Sequence, residues 1–191
     1  DHGIPFDPPP GDWFLKYGEA AVKQSFQSFW DNEEGIRDHF ILAWQEVAKR
    51  FADNPMVVGY DIINEPYIGN WEVMQIPQFE AEVLTPFYAI VAQGIREVDE
   101  NHIIFVEPTA SKGLGIKGGI GPIGDDKVAY AAHYYHPTMD MLQFYSDSKE
   151  NMAELFNQIR EEAYAVGGPP FLGEFGFYAG FEGGELYAEH Q

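Results

Sequence analysis

The sequence contains no cysteine and few basic residues. The lack of cysteine excludes disulfide bonds and thiolate metal sites, although it leaves the redox compartment open. Only 11 lysine and arginine residues stand against 31 aspartate and glutamate residues, so the formal net charge is -20. A charge of this sign repels the phosphates of nucleic acid and the anionic surface of membranes, and we therefore expect no nucleic-acid partner.

Long apolar runs are also lacking. The run Met56–Tyr60, for example, ends at Asp61, so the sequence predicts neither a signal peptide nor stable membrane insertion. The chain begins at Asp1 rather than at a methionine, and we expect its natural termini to lie outside it. A content of 45% apolar and 16% aromatic residues is enough for one sizeable core, and we interpret residues 1–191 as a single domain.

The opening segment, residues 1–30, is rich in proline, glycine and aromatic residues and has no sustained periodicity. It is predicted to be a long loop with at most a short helix. Its aromatic side chains could form a wall for a sugar or a lipid chain, but a small satellite core beneath the loop is the favoured interpretation. These residues are Trp13, Phe14, Tyr17, Phe26, Phe29 and Trp30.

Residues 31–191 alternate between helical and extended patterns. Asp31 and Glu34 have the spacing of a capping box, and the apolar residues from Ile36 to Phe51 that follow recur at helical spacing. Short apolar runs typical of buried parallel strands come later and are separated by further helical stretches, one of which contains Pro86 either at its start or at a kink. The pattern predicts four parallel βα units. The predicted strands are 57–63, 102–106, 128–135 and 170–173, and the later predicted helices cover 79–98 and 152–163.

Each predicted strand ends in residues that can do chemistry. In a parallel α/β barrel the carboxyl ends of all the strands open onto one face, where active sites lie. Burying an unpaired carboxylate is costly, so an apolar strand gives no structural reason for an ionisable group at its tip. We therefore predict a site formed by Asn64, Glu65, Glu107, His133, Tyr135 and Glu174.

Two of these residues provide the pair that glycoside hydrolysis needs. One carboxyl group protonates the leaving oxygen, while the other attacks the anomeric carbon or activates a water. Glu65 and Glu174 lie at equivalent ends of two strands and fit these roles, and Asn64 could hydrogen-bond a sugar hydroxyl beside the reacting carbon. His133 and Tyr135 lie on one side of their strand and His136 on the other, which disfavours a metal site formed by His133 and His136. No metal and no cofactor is predicted.

Three segments resemble the motifs of the family 5 glycoside hydrolases. Residues 59–66 (GYDIINEP) are similar to the acid/base motif after the fourth barrel strand, and residues 171–176 (FLGEFG) to the nucleophile motif of the seventh. Residues 133–135 (HYY) match the His-x-Tyr of the sixth. The resemblance implies a (β/α)8 TIM barrel, present here as an incomplete barrel fragment. It also implies a retaining mechanism in which Glu65 is the acid/base and Glu174 the nucleophile, with Tyr135 bonded to Glu174 and His133 lining the sugar site.

Within that family, residues 79–88, 95–99 and 105–108 are most similar to endoglycoceramidases. This implies a glycolipid substrate, cut between glucose and ceramide, and secretion of the protein. A cellulase-like endo-β-glucanase or a β-glucosidase of the same family is the first alternative. A non-catalytic barrel remnant that only binds carbohydrate or lipid is an alternative from another class.

The remaining expectations concern residues and strands around the pair. Glu107 also precedes a proline, but Val106 stands where the motif needs Asn, so it is interpreted as a substrate-site or structural carboxylate. Asp61 is assigned to packing or to bonding behind the site, and Tyr134 to the outer layer. The family's arginine of strand two, histidine near strand three and tryptophan after strand eight have no counterpart, because only strands four to seven are expected. Unpaired strand edges invite self-association, and the sequence leaves the oligomeric state open.

Overall fold

A four-stranded parallel sheet organises the chain. The computed structural model describes residues 3–5, 13–136, 145, 147–176 and 182–190. The strands follow one another across the sheet in chain order, with each paired in parallel to the next. This arrangement, half of a (β/α)8 barrel, confirms the predicted fold class. The strands are β1 (Gly59–Asp61), β2 (Ile103–Val106), β3 (Val128–Tyr134) and β4 (Pro170–Phe175).

Helices cover the outer face of the sheet. On that face Tyr60, Ile104 and Tyr130 are almost fully buried in one apolar core with the helices. On the inner face the rings of Phe105 and Phe171 pack with centroids 5.0 Å apart. The α-helices are α1 (Ala20–Trp30), α2 (Ile36–Phe51), α3 (Ile76–Phe79), α4 (Thr85–Arg96), α5 (Lys149–Val166) and α6 (Gly184–His190). Short 3-10 helices occur at Trp13–Gly18, Glu33–Gly35, Val73–Gln75 and Ala110–Leu114.

The opening segment contains more helix than expected. It includes α1, which has 11 residues, where mainly a loop was predicted. Trp30 is buried, and its indole N–H donates to the carbonyl of Tyr67 at 2.8 Å. Phe29 and Trp30 pack edge-on against Phe87 of α4, so they belong to the main core and not to a satellite. The side chains of Trp13 and Phe14 lie outside the described residues.

The start of α2 differs from the predicted capping box. Glu34 has a left-handed backbone conformation (φ 52°) and therefore lies outside the helix. The side chain of Asn32 caps the helix instead, because its Oδ1 accepts the N–H groups of Arg37 and Asp38 at 2.9 and 3.3 Å. Asn32 itself is left-handed, a conformation that asparagine tolerates better than most residues.

Pro86 lies at the start of α4, directly after a π-helical turn at Glu80–Leu84. The N–H and the hydroxyl of Thr85 both donate to the carbonyl of Glu80, the hydroxyl at 2.9 Å. The two predicted alternatives thus describe one feature, since Pro86 opens the main helix and the turn before it is irregular.

Within the described residues, no helix combines the length and the apolar character that crossing a membrane requires.

Candidate active site

Four ionisable side chains from the four strands converge at the carboxyl end of the sheet. His133, at the end of β3, lies at the centre. Its Nδ1 is 3.0 Å from Oε1 of Glu65 and 3.5 Å from Oε2 of Glu174, and its Nε2 is 3.4 Å from Oε1 of Glu107. The structure therefore brings together residues that are distant in the sequence.

A β-bulge directs Glu174 toward this site. The register pairs Ala131 with Phe171 and Ala132 with Leu172, then slips by one residue so that His133 pairs with Glu174. Without the slip, Gly173 would stand beside His133 and Glu174 would face the helices, because successive side chains of a strand alternate between faces. A side chain at Gly173 would crowd the site, since a Cβ there would lie 3.0 Å from the His133 ring.

The backbone of Glu65 is held in an unusual conformation. Its φ is +43°, in the left-handed region that a glutamate rarely adopts and that costs on the order of 1 kcal/mol or more. Its N–H donates to Oε2 of Glu107 at 2.6 Å. This strong hydrogen bond to a charged acceptor offsets the strain and fixes the direction in which the Glu65 side chain leaves the chain.

Glu107 is buried, with 2% of its side chain exposed. Its backbone is clamped by Tyr88 of α4, whose hydroxyl donates to the Glu107 carbonyl at 2.7 Å and accepts the Glu107 N–H at 3.1 Å. Asp61, at the end of β1, lies beside the Glu107 carboxylate. Partial desolvation and the charge and hydrogen bonding of Glu107 raise the pKa of Asp61 to about 7. Asp61 thus bonds to Glu107, a side chain behind the pair, which agrees with the bonding interpretation made from the sequence.

His133 is a cation at neutral pH. Burial alone would lower its pKa, but hydrogen bonds to Glu107 and Glu65, together with the charges of Glu107 and Glu174, outweigh burial and raise the pKa to about 10. The donor atoms of Glu65, His133 and Glu174 lie within 4.8 Å of one another, close enough to converge on one cation. A metal would first have to displace the imidazole proton, so the electrostatics of the site oppose metal binding.

The two glutamates predicted to act on substrate are accessible and close together. Their side chains are 30% and 42% exposed for Glu65 and Glu174, whereas that of His133 is 6% exposed. One carboxylate oxygen of each lies within 4.8 Å of the other. The hydroxyl of Tyr135 donates to Oε2 of Glu174 at 3.1 Å. Such a pair can place an acid and a nucleophile on one bond.

Three further residues considered from the sequence lie beside the group of Glu65, Glu107, His133 and Glu174 or outside it. Asn64 is exposed next to Glu65. Tyr134 points to the outer layer, where its ring packs against Phe156 of α5. Nε2 of His136 lies 3.0 Å from the carboxylate of Asp147.

Two supporting residues were not singled out from the sequence. Tyr88 lies in the apolar stripe of a helix, where an aromatic residue is ordinarily a core residue. Gly173 lies directly before the proposed nucleophile in the motif FLGEFG, and a glycine inside a strand is a known signal for a bulge or a close approach. That signal could have been used.

Comparison with known proteins identifies relatives of the chain. The profile of the cellulase family (glycosyl hydrolase family 5) matches residues 16–183. An endoglycoceramidase from Hydra vulgaris is 33% identical over 132 residues, which cover 65% of this chain and 26% of that protein. The chain thus spans about a quarter of the length of this curated relative.

Solved structures of endo-glycoceramidase II from Rhodococcus sp. are similar over almost the whole chain. The complex with ganglioside GM3 superposes with a TM-score of 0.83 at 31% identity and covers 98% of this chain and 44% of that one. A structure described as the lactosyl-enzyme intermediate has the same TM-score, identity and coverage. The parallel sheet with its acidic carboxyl end is therefore that of a known family of hydrolases. The chain belongs to glycosyl hydrolase family 5.

Proposed function

We propose that the chain carries the catalytic pair of a retaining glycosidase of the endoglycoceramidase type. In this mechanism Glu65 protonates the leaving oxygen while Glu174 attacks the anomeric carbon. Glu65, as its conjugate base, then activates the water that hydrolyses the glycosyl-enzyme ester. The observation that carries the proposal is the short distance between the two carboxyl groups.

The geometry supports retention over inversion. One oxygen of Glu65 lies within 4.8 Å of one oxygen of Glu174. This close approach favours a retaining pair, whose carboxyl groups are typically about 5 to 5.5 Å apart, over an inverting pair at roughly 6.5 to 9.5 Å. An inverting enzyme needs the larger gap because a water must fit between the base and the sugar. The Rhodococcus structure described as a lactosyl-enzyme intermediate is consistent with the same double displacement.

The relatives favour a glycolipid as substrate. An endoglycoceramidase is 33% identical to this chain, and the Rhodococcus enzyme was solved with ganglioside GM3. The family profile also carries the name cellulase, which keeps a β-glucan as the second candidate. Assaying a complete barrel that contains this chain against ganglioside and cellulosic substrates side by side separates the two.

A 2-deoxy-2-fluoro glycoside with an activated leaving group tests the mechanism. We expect it to form a stable ester on Glu174, detected by mass spectrometry of the peptide that contains residues 171–176, and we expect none in Glu174→Gln. Hydrolysis with inversion, or labelling of another residue, would overturn the assignment of the nucleophile. Glycan binding without labelling or hydrolysis would favour a binding module.

A further inference from the structure

The residue that organises the catalytic pair is buried behind it. The carboxylate of Glu107 has two oxygens, and each has a separate partner in the site. Oε2 accepts the backbone N–H of Glu65 at 2.6 Å, while Oε1 lies 3.4 Å from Nε2 of His133. One side chain thus contacts both the proposed acid and the imidazole between the two glutamates.

We propose that Glu107 is a positioning residue, which holds the strained backbone of Glu65 and the ring of His133 in the orientation that aims both at the scissile bond. The proposal rests on the proposed function for its catalytic consequence, but its structural content does not depend on hydrolysis. With 2% of its side chain exposed, Glu107 acts through Glu65 and His133 and not on the sugar.

The contact with Glu65 stabilises a left-handed backbone conformation that glycine would adopt without strain. A left-handed φ at a glutamate persists only when its surroundings hold it there. The Glu107 carboxylate is the acceptor that holds the Glu65 N–H, and Tyr88 fixes Glu107 from behind through its backbone N–H and carbonyl. The direction of the acid is thereby linked to helix α4 through a single carboxylate.

The contact with His133 orients the ring. With Nε2 directed at Glu107, Nδ1 faces Glu65 and Glu174 at 3.0 and 3.5 Å. Asp61 is hydrogen-bonded to Glu107 and interacts electrostatically with His133, so it completes the set of carboxyl groups around this cation, which are those of Glu65, Glu107, Glu174 and Asp61. When the charge of Glu107 is removed, the ring loses the carboxylate that faces Nε2. Glu65 and Glu174, which face Nδ1, remain.

Two substitutions separate these contacts. Glu107→Gln keeps the length of the side chain and an oxygen for the Glu65 N–H, but removes the charge beside His133. Glu107→Asp keeps the charge and withdraws it by one methylene, which lengthens the contact with Glu65. We expect kcat to fall about 10- to 100-fold in each variant with KM little changed. The side chains that contact the substrate are still present, but their orientation is no longer the productive one.

The titration of His133, followed by NMR and assigned with His133→Asn, tests the proposal without relying on activity. We expect its pKa to fall by about one unit or more in Glu107→Gln, and by less in Glu107→Asp. The matched control is Glu162→Gln, a buried glutamate on the outer side of the sheet whose Oε2 accepts from Lys112 at 2.8 Å and Tyr130 at 2.7 Å. This control should lower stability and leave the His133 titration unchanged.

An unchanged His133 pKa in Glu107→Gln, or wild-type kcat in both variants, would overturn the proposal. If one variant fails to fold, the other still reports on its own contact. A protein that does not hydrolyse glycosides but shows the shift would refute the proposed function alone. A hydrolase with an unshifted His133 would refute the positioning role alone.

Discussion

At the scale of single residues, the site depends on how each side chain is directed. Glu65 leaves the chain from a left-handed backbone, and Glu174 reaches the inner face because β4 contains one extra residue opposite β3. Neither feature follows from residue type, since a glutamate at a strand end can point to either face. The chemistry of the pair thus depends on two local departures from regular structure.

Glu65→Gln tests the acid directly. We expect hydrolysis of a substrate with a poor leaving group to slow by about 10² to 10⁴, because the amide cannot donate the proton that the leaving oxygen requires. Substrates with an activated aryl leaving group should lose less in the first step. Steady-state kinetics on both substrates measures the difference, with the exposed Glu46→Gln as control. Undiminished activity on the poor leaving group would exclude Glu65 as the acid.

Gly173→Ala tests the close approach at the bulge. The added Cβ would lie 3.0 Å from the His133 ring, so either the ring or the strand must move. We expect a loss of about 1 to 3 kcal/mol in the free energy of unfolding, together with reduced kcat. Gly18→Ala is the matched control, because a Cβ there meets no atom within 4 Å. If both variants have the same free energy of unfolding in urea, the His133 ring can move aside without destabilising the fold.

At the scale of secondary-structure elements, a buried carboxylate ties the end of α4 to the sheet. Asp99 accepts from the hydroxyl of Tyr60 in β1 at 2.5 Å and contacts Nδ1 of His102 at 2.5 Å. Burial would raise its pKa, but hydrogen bonds from Tyr60, Asn101 and His102 outweigh burial and lower the pKa to about 2. The ionised form of Asp99 is therefore the form that the fold stabilises.

This lowered pKa predicts a specific response to acid. A carboxyl group with a pKa of about 2 in the folded chain and 3.8 in the unfolded chain contributes about 2 kcal/mol, present above pH 3.8 and lost as the pH falls toward 2. We expect Asp99→Asn to be less stable than wild type at neutral pH and the difference to shrink across that interval. Urea unfolding as a function of pH measures it. The exposed Asp126→Asn is the control, and a constant difference at all pH values would refute the contribution.

The elements that the sequence predicted best are those with an uninterrupted pattern. Strands β2 and β3 and helix α5 lie where apolar runs and helical spacing indicated them. Helix α1 was missed because proline, glycine and aromatic residues around it hide its spacing. The bulge before Glu174 and the cap by Asn32 were missed for another reason. Each depends on a backbone conformation that packing selects, although Gly173 is a sequence signal for the bulge.

The site was predictable to a similar extent. The position of polar residues at the strand ends indicated which side chains meet, because parallel strands share one carboxyl edge. The partners of Glu107 could not be inferred, since they depend on Tyr88 from a helix and on a backbone N–H of another loop.

At the scale of the whole molecule, exposed apolar surface favours association between copies of the chain, whereas the net charge opposes it. Phe171 of β4 is 49% exposed on the inner face, and the edges of β1 and β4 have no paired strand within the described ranges. A formal charge of -20 opposes contact between copies. The balance between apolar attraction and electrostatic repulsion depends on ionic strength.

Association of the isolated chain should therefore increase with salt. Raising sodium chloride from about 0.01 M to about 0.2 M shortens the Debye length from roughly 30 Å to under 10 Å, which screens repulsion and leaves apolar attraction intact. Sedimentation velocity at both concentrations measures this effect. Phe171→Ser should reduce the association. Met74→Ser, which removes an apolar residue that is even more exposed (90%) elsewhere, should not. Salt-independent sedimentation would contradict this balance.

The order of the strands has an evolutionary consequence. Both carboxyl groups, and the tyrosines, histidine and buried glutamate around them, are encoded in one contiguous stretch from β1 to β4. Recombination that exchanges the rest of a barrel between relatives would leave this group of side chains, and the contacts among them, intact.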